Sequence, residues 1–151
     1  MATYVLTWNP EKWDWAGLPS LAKRVLAGEP VRDTWDCGRR TAPRPGDRFY
    51  LLRQGVHPKG IVGSGEILSF PQPGEHWSGN GSTANYLDLQ YHHLLDPAAF
   101  EPLDISRLHA PLHTLWRSRS SGATAPAEGE ALLESLWRQH LEILLVEPPG
   151  P

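Results

Sequence analysis

Short apolar runs along the chain predict β-strands. The predicted strands cover residues 4–8, 31–35, 47–53, 60–68 and 86–94. The last of these alternates regularly, which places Leu87, Leu89 and Tyr91 on one face of a half-buried strand. Gly63 and Gly65 lie inside the fourth run, where they indicate a bulge or the close approach of another backbone or a ligand.

Two segments have apolar residues at helical spacing. The first contains Leu18, Leu21, Ala22, Val25 and Leu26. Ser20 is expected to cap the start of this helix, so that it would begin at Leu21, and Gly28 is expected to end it. The second covers 128–145, with one expected apolar stripe made of Leu132, Leu133, Leu136, Trp137, Leu141 and Leu144. Loops are predicted for 39–46, 54–59, 70–85 and 118–126, and a Pro-rich stretch up to about 117. This order predicts a mixed α+β fold, a curved sheet or small barrel flanked by helices.

The length and mass of the chain are those of a single domain of ordinary size. The chain has 151 residues and 16.8 kDa, so 1–146 is expected to form the domain, with 147–151 a Pro-rich tail or the start of a linker. A single cysteine excludes an internal disulfide and a multi-cysteine zinc site. With no apolar run of membrane-spanning length and no secretory signal at the start, we expect a cytoplasmic protein with no membrane partner.

Charge is unevenly distributed along the chain. Residues 1–60 carry 10 Lys and Arg against 6 Asp and Glu, whereas 61–151 carry 4 against 11, and the net charge is -3. A local anion-binding face on the first half would produce this asymmetry. From charge alone, a chance distribution over a solvated surface is the preferred interpretation.

Enzyme signatures are mostly absent from the sequence. It contains no GxxxxGK[ST] phosphate loop, no GxGxxG after a strand, no HExxH and no GxSxG. Cys37 is expected to be a small buried residue rather than a nucleophile. His92 and His93 should point to opposite faces of their strand, and His109 and His113 have a proline between them, so neither pair predicts a metal site. No cofactor and no metal are expected.

Aromatic residues on loops are the stronger signal. Five of the seven tryptophans lie at strand ends or in polar connections: Trp8, Trp13, Trp15, Trp35 and Trp77. With the nearby polar residues Asn9, Asp36 and Ser64 they predict a cage for a flat ligand, whose edge the polar groups would read. For any one tryptophan, ordinary core packing is an equal alternative.

Six segments of the chain together match a known pattern: TWNPEKWDW (7–15), WDCG (35–38), GDRFYLLRQG (46–55), PKGIVGSGEI (58–67), HW (76–77) and WRSRSSG (116–122). They resemble the EVE family of the PUA-like superfamily, and in particular the EVE domains fused to HNH nucleases in modification-dependent restriction enzymes. The resemblance covers the chain from about Tyr4 to Trp137. The chain also resembles YTH domains, but more distantly. The resemblance implies a strongly curved β-barrel with helices packed around it.

The resemblance also implies a function. Proteins of this family hold a modified base, often 5-methylcytosine or 5-hydroxymethylcytosine, flipped out of DNA into an aromatic cage. By order along the chain, the two cage tryptophans of the related YTH domains correspond to Trp35 and Trp77, and Asn9 takes the polar position after the first strand. Trp13 or Trp15 remains an alternative second wall. Asp36 could accept a hydrogen bond from cytosine N4.

The implied partner is double-stranded DNA carrying modified cytosine. The candidate phosphate contacts are Arg39, Arg40, Arg44, Arg48, Arg53, Lys59, Arg117 and Arg119. No HNH metal site occurs in the 151 residues, so the chain as it stands is expected not to be an enzyme, and a nuclease could follow in the same polypeptide. Two other hypotheses stay open: a PUA-like module that recognises a modified RNA base, and a small-molecule enzyme that uses Cys37 or a histidine.

Overall fold

The computed structural model describes residues 2–104, 123–124 and 127–145, and these form eight strands and two helices. In chain order the elements are β1 (Thr3–Trp8), α1 (Leu18–Leu26), β2 (Val31–Asp36), β3 (Arg48–Arg53), β4 (Gly60–Ile67), β5 (Gln72–Glu75), β6 (Thr83–Leu94), β7 (Leu103–Asp104), β8 (Ala123–Thr124) and α2 (Ala127–Leu145). The predicted strands and helices are therefore all present, with ends that differ by at most three residues.

One strongly curled sheet holds the described strands together, which confirms the predicted α+β class. Its strand order is β2-β6-β4-β3-β1-β8, with β5 paired to β6 and β7 paired to β4. The strands β1 and β3 are parallel, and the other pairs are antiparallel. Because β1 and β3 run in the same direction, the segments that follow Trp8 and Arg53 leave the sheet side by side, at the same end of the two strands.

Side chains point alternately to the two faces of the sheet along each strand. Apolar residues occupy both sets of positions, so each face carries an apolar cluster. In β1, Leu6 packs in a cluster with α1, whereas Val5 packs on the opposite face in a cluster with α2. Phe49 and Tyr50 divide in the same way in β3. We call the two surfaces the α1 face and the α2 face.

The first helix begins earlier than predicted. Gly17 occupies the N-cap position, and Ser20 lies inside the helix rather than at its start. Proline is well suited to the first helical turn, because its missing N–H needs no partner there, so Pro19 favours the earlier start. The end is as predicted: Gly28 has a φ of 85°, a conformation that glycine adopts without strain.

Three short strands were not predicted from the sequence. The expected loop over 70–85 contains β5, which pairs with the beginning of β6, and the hydroxyl of Tyr86 donates to the Glu75 carbonyl oxygen at 2.6 Å. Pro73 lies in this strand, consistent with the tolerance of edge strands for proline. The strand β8 lies in the expected loop over 118–126. Two-residue strands such as β7 and β8 exist only through their partners, so local sequence does not indicate them.

A bulge interrupts the pairing of β4 with β6, as the glycines of β4 predicted. Ser64 pairs with His93 and Gly65 pairs with Tyr91, which leaves His92 as the extra residue. The predicted alternation therefore ends at Tyr91. Contrary to the expected placement on opposite faces, both histidines line one cleft beside α2.

Gly65 makes this bulge possible. A Cβ atom at that position would overlap the carbonyl oxygen of Gln90 and lie 2.8 Å from Cε1 of Phe49. The prediction of a close backbone approach at Gly65 is confirmed.

The second helix has a narrower buried stripe than predicted. Leu133, Trp137 and Leu141 are buried, one per turn, but Leu132 is 38% exposed. Neither described helix combines the length and the apolar character needed to cross a bilayer. The segment at 146–151, His109 and His113 lie outside the described residues.

Candidate functional site

Four of the five predicted tryptophans meet in one cluster on the α1 face. Trp15 lies at its centre, with its ring centroid 5.3 Å from Trp8, 5.5 Å from Trp13 and 5.0 Å from Trp35. Trp13 stacks on Trp15 with 21° between the ring planes and meets Trp35 edge-on at 5.5 Å. These are favourable aromatic geometries, so the cluster is a stable structural unit.

Most of this cluster is core rather than an open cage. Trp8, Trp15 and Trp35 are each only 6–7% exposed, whereas Trp13 is 41% exposed. The indole of Trp8 donates to the Trp13 carbonyl oxygen at 3.0 Å, and the indole of Trp35 donates to the Thr7 carbonyl oxygen at 3.2 Å. Within the cluster, Trp13 therefore presents the main aromatic surface to solvent.

Asn9 positions the loop that carries Trp13. Its side-chain oxygen accepts from the Glu11 amide at 3.0 Å, and its carbonyl oxygen accepts from the Lys12 and Trp13 amides. The Asn9 side chain also fills the space where a Cβ of Gly55 would lie. Asn9 thus closes a turn at the ends of the parallel strands β1 and β3.

Trp77 is a second exposed aromatic surface, separate from the cluster. It is 47% exposed, and its indole donates to Oδ2 of Asp36 at 3.1 Å. The His76 ring lies 5.0 Å from the Trp77 ring, and its Nε2 is 3.7 Å from the same carboxylate oxygen. Oδ1 of Asp36 accepts from the Gly38 amide at 2.6 Å. Asp36, at the end of β2, therefore holds Trp77 in place.

The structure brings Trp35 and Trp77 to the same end of β2 by different routes. Trp35 contacts Trp13 and Trp15 inside the cluster, whereas the adjacent residue Asp36 binds Trp77. The ring contact observed for Trp77 is with His76. The end of β2 therefore joins a buried aromatic cluster to an exposed tryptophan.

A basic loop follows Asp36. Arg39, Arg40 and Arg44 are exposed, and their side chains make no ion pair with any residue that the structure describes. The Asn85 side chain donates to the Arg40 carbonyl oxygen at 2.9 Å, which fixes the loop backbone against β6. Three of the predicted phosphate contacts thus lie in the loop that begins at the carboxylate holding Trp77.

The other predicted phosphate contacts lie elsewhere. Arg48 pairs with Glu134 of α2 at 2.9 Å. The Arg53 guanidinium donates to the carbonyl oxygens of Val56 and Pro58 and lies 5.3 Å from the Trp8 ring, and burial lowers its pKa. Lys59 is half-buried. Arg117 and Arg119 lie outside the described residues.

Ser64 is separated from the tryptophan cluster. Its hydroxyl oxygen accepts a hydrogen bond from the Trp137 indole at 2.9 Å, on the α2 face. Of the eight predicted cage residues, Ser64 is thus the one that a helix on the other side of the sheet engages.

Cys37 lacks the character of a nucleophile. Its side chain is fully buried, and Sγ lies 3.4 Å from the Asn85 carbonyl oxygen. Burial, helped by the nearby Asp36 carboxylate, raises the pKa of the thiol to about 11, so it is protonated at neutral pH. Within the described ranges, no three His, Cys, Asp or Glu side chains converge as metal ligands would.

Known proteins resemble this chain in structure but not clearly in sequence. No family model and no curated protein matches it. A hypothetical protein from Leishmania major aligns over 92% of this chain and 96% of its own, with a TM-score of 0.65 and 15% identity. A Pseudomonas syringae protein aligns over 89% and 99%, with a TM-score of 0.59 and 17% identity.

A Pseudomonas putida protein gives a similar result. It aligns over 89% of this chain and 99% of its own, with a TM-score of 0.61 and 19% identity. At such identities these similarities establish a shared fold and nothing about function. The fold and the site together define an α+β protein with a curled half-barrel sheet, a largely buried tryptophan cluster and two exposed tryptophans, Trp13 and Trp77.

Proposed function

We propose that this protein reads modified cytosine in DNA. The target is a duplex carrying 5-methylcytosine or 5-hydroxymethylcytosine, with the base flipped out of the stack and placed against the exposed aromatic surface. The proposal is supported by the segments that resemble the EVE family and by a curled sheet that is compatible with a PUA-like fold. The observation that carries it is Trp77, which is 47% exposed, fixed by Asp36 and adjacent in the fold to a basic loop.

The energetics favour an exposed, prepositioned tryptophan for this task. Stacking a base on an aromatic side chain contributes about 1–3 kcal/mol, which helps to offset a flipping cost of a few kcal/mol. Because Asp36 already holds the Trp77 indole, little side-chain freedom is lost on binding. Trp13, the solvent-facing member of the cluster, is the alternative stacking surface.

Selectivity requires more than the added methyl group. Burying one methyl contributes about 0.8 kcal/mol, which is only several-fold in affinity. A carboxylate can accept several hydrogen bonds, so Asp36 can bind the cytosine N4 amino group in addition to Trp77 and Gly38. This contact would select cytosine over thymine.

The basic loop would supply the sequence-independent part of the affinity. Arg39, Arg40 and Arg44 are exposed and are expected to contact the DNA backbone on either side of the flipped base. Removing one phosphate contact should reduce the slope of log K against log salt by about 0.9. In this proposal the domain is the targeting module of a modification-dependent restriction endonuclease, with the nuclease in the same polypeptide.

The test is a binding titration at fixed moderate salt. Three fluorescent duplexes carry cytosine, 5-methylcytosine or 5-hydroxymethylcytosine at one CG step. We compare the wild type with Trp77→Ala, Trp13→Ala and the matched control Phe70→Ala, which removes an aromatic side chain that is 58% exposed. We expect the wild type to prefer a modified duplex, and Trp77→Ala to weaken that binding about 5- to 150-fold, the equivalent of about 1–3 kcal/mol.

Each other outcome is informative. Loss of binding in Trp13→Ala instead of Trp77→Ala would move the base to the tryptophan cluster. Equal binding of all three duplexes by the wild type would refute the proposal. A single-stranded RNA of the same sequence, bound more tightly than any duplex, would favour the RNA-binding alternative.

A further inference from the structure

A polar cleft lies on the α2 face, where α2 crosses β3, β4 and β6. Its polar lining comes from three elements: Arg48 and Tyr50 of β3, Ser64 of β4, and Glu134 and Arg138 of α2. The bulge residue His92 and its neighbour His93 complete this polar rim. The cleft is separate from the aromatic cluster, which packs on the α1 face.

The charged groups of the cleft are dominated by hydrogen-bond donors. Oε1 of Glu134 accepts from Arg48 at 2.9 Å and from Arg138 at 3.2 Å, so one carboxylate oxygen serves two guanidinium groups. These three lining side chains leave a net charge of +1, and the carboxylate of Glu130 lies close enough to act on both Arg48 and Tyr50. Each guanidinium has five N–H donors, and both side chains are well exposed, at 45% for Arg48 and 69% for Arg138. Most of these donors are therefore available to a ligand.

Two hydroxyl groups add further donors at the floor. Tyr50 is 4% exposed and lines the cleft. Ser64 accepts from the Trp137 indole, so the hydrogen of its own hydroxyl remains to be donated. Burial raises the pKa of Tyr50 to about 12, which keeps this hydroxyl protonated at neutral pH.

We propose that this cleft binds the phosphate group of a small anionic ligand. The donors come from two strands and a helix, so they converge from several directions, as the oxygens of a tetrahedral phosphate require. A planar carboxylate, with two oxygens, would use fewer of them. The inference is independent of the proposed base-binding function, because none of its residues belongs to the tryptophan cluster, Trp77 or the basic loop.

Inorganic phosphate is the probe, titrated at pH 7 and constant ionic strength with chloride as the replaced anion. The Trp137 indole N–H signal in a nitrogen–proton correlation NMR spectrum is the reporter, since its acceptor is Ser64. A parallel titration with acetate distinguishes phosphate from carboxylate recognition. We expect a saturable shift of this signal with phosphate and a weaker one with acetate.

Two charge-neutralising variants test the cleft in opposite directions. Glu134→Gln removes the competing carboxylate and should tighten phosphate binding, whereas Arg138→Gln removes a donor and should weaken it, each by roughly two- to fivefold. The matched controls are Glu29→Gln and Arg24→Gln, which make the same charge changes in the exposed Arg24–Glu29 pair at the end of α1. Neither control should change the affinity.

Three results would overturn the proposal. The first is the absence of a saturable Trp137 shift in both the wild type and Glu134→Gln. The second is an Arg24→Gln effect as large as that of Arg138→Gln, which would indicate non-specific ion binding. The third is tighter binding of acetate than of phosphate, which would reject phosphate as the ligand class.

Discussion

Replacing Ser64 by alanine is expected to destabilise the protein through the helix that lies across the sheet. The Trp137 indole donates to the Ser64 hydroxyl at 2.9 Å, and the two side chains are only 4% and 9% exposed. This hydrogen bond joins α2 to β4 across 73 residues of sequence. Without the hydroxyl, the indole N–H would remain buried without an acceptor.

The magnitude follows from that orphaned donor. Leaving a buried polar group unsatisfied costs about 1–3 kcal/mol. For a domain of this length each kcal/mol lowers Tm by about 2–4 °C, so we expect Ser64→Ala to lower Tm by about 2–12 °C. Ser78→Ala is the control, because it removes a serine whose 2.7 Å hydrogen bond to His76 is exposed. That change should stay within about 0.5 kcal/mol.

A double-mutant cycle with Trp137→Phe isolates the hydrogen bond from packing. Phenylalanine keeps an aromatic ring but has no N–H, so Ser64→Ala should cost almost nothing in the Trp137→Phe background. The coupling energy is expected to be at least about 1 kcal/mol. Urea denaturation, followed by circular dichroism, measures all four free energies of unfolding. The reasoning is refuted if Ser64→Ala costs the same in both backgrounds.

Two further predictions concern backbone packing and alkaline pH. Gly65→Ala should lower the free energy of unfolding by about 3 kcal/mol or more, because the new Cβ would overlap the Gln90 carbonyl oxygen. Gly17→Ala is the control: nothing lies within 4 Å of the added atom, so this change should lower the free energy of unfolding by less than half as much. Equal losses of urea midpoint would contradict this. Stability should fall as pH rises from about 9 to 12, because Cys37 and Tyr50 ionise in the unfolded chain at 9.0 and 10.0 but in the folded protein only at about 11 and 12. The unfolded state then binds fewer protons. A urea midpoint equal at pH 7.5 and 10.5 would exclude it.

Much of the fold was predictable because it depends on short-range patterns. The five long strands and both helices follow from apolar periodicity, and the bulge follows from the glycines of β4. The strands β5, β7 and β8 were missed because they exist only through pairing with distant segments. The start of α1 was misplaced because a first-turn proline outweighed the capping preference of Ser20.

The candidate site was predicted less completely than the fold. The sequence predicted one cage that included Trp77 together with Trp8, Trp13, Trp15 and Trp35. The last four form one cluster, but Trp77 lies apart from it and its ring contacts His76. The sequence did not distinguish the buried members of the cluster from Trp13, because all four lie at strand ends or in polar connections. Only the turn closed by Asn9 decides which ring faces solvent.

The amino-acid sequence by itself determined the five long strands and two helices, the high tryptophan content and the basic first half of this protein, because these depend on residue type and local spacing. Tertiary structure decided how they are divided between the two faces of the sheet. Arg48 and Ser64 face α2, where they bind Glu134 and Trp137. Arg39 instead lies in the loop that follows Asp36, the residue that binds Trp77. That division depends on which helix covers which face, and such a choice is made by contacts between residues far apart in the chain.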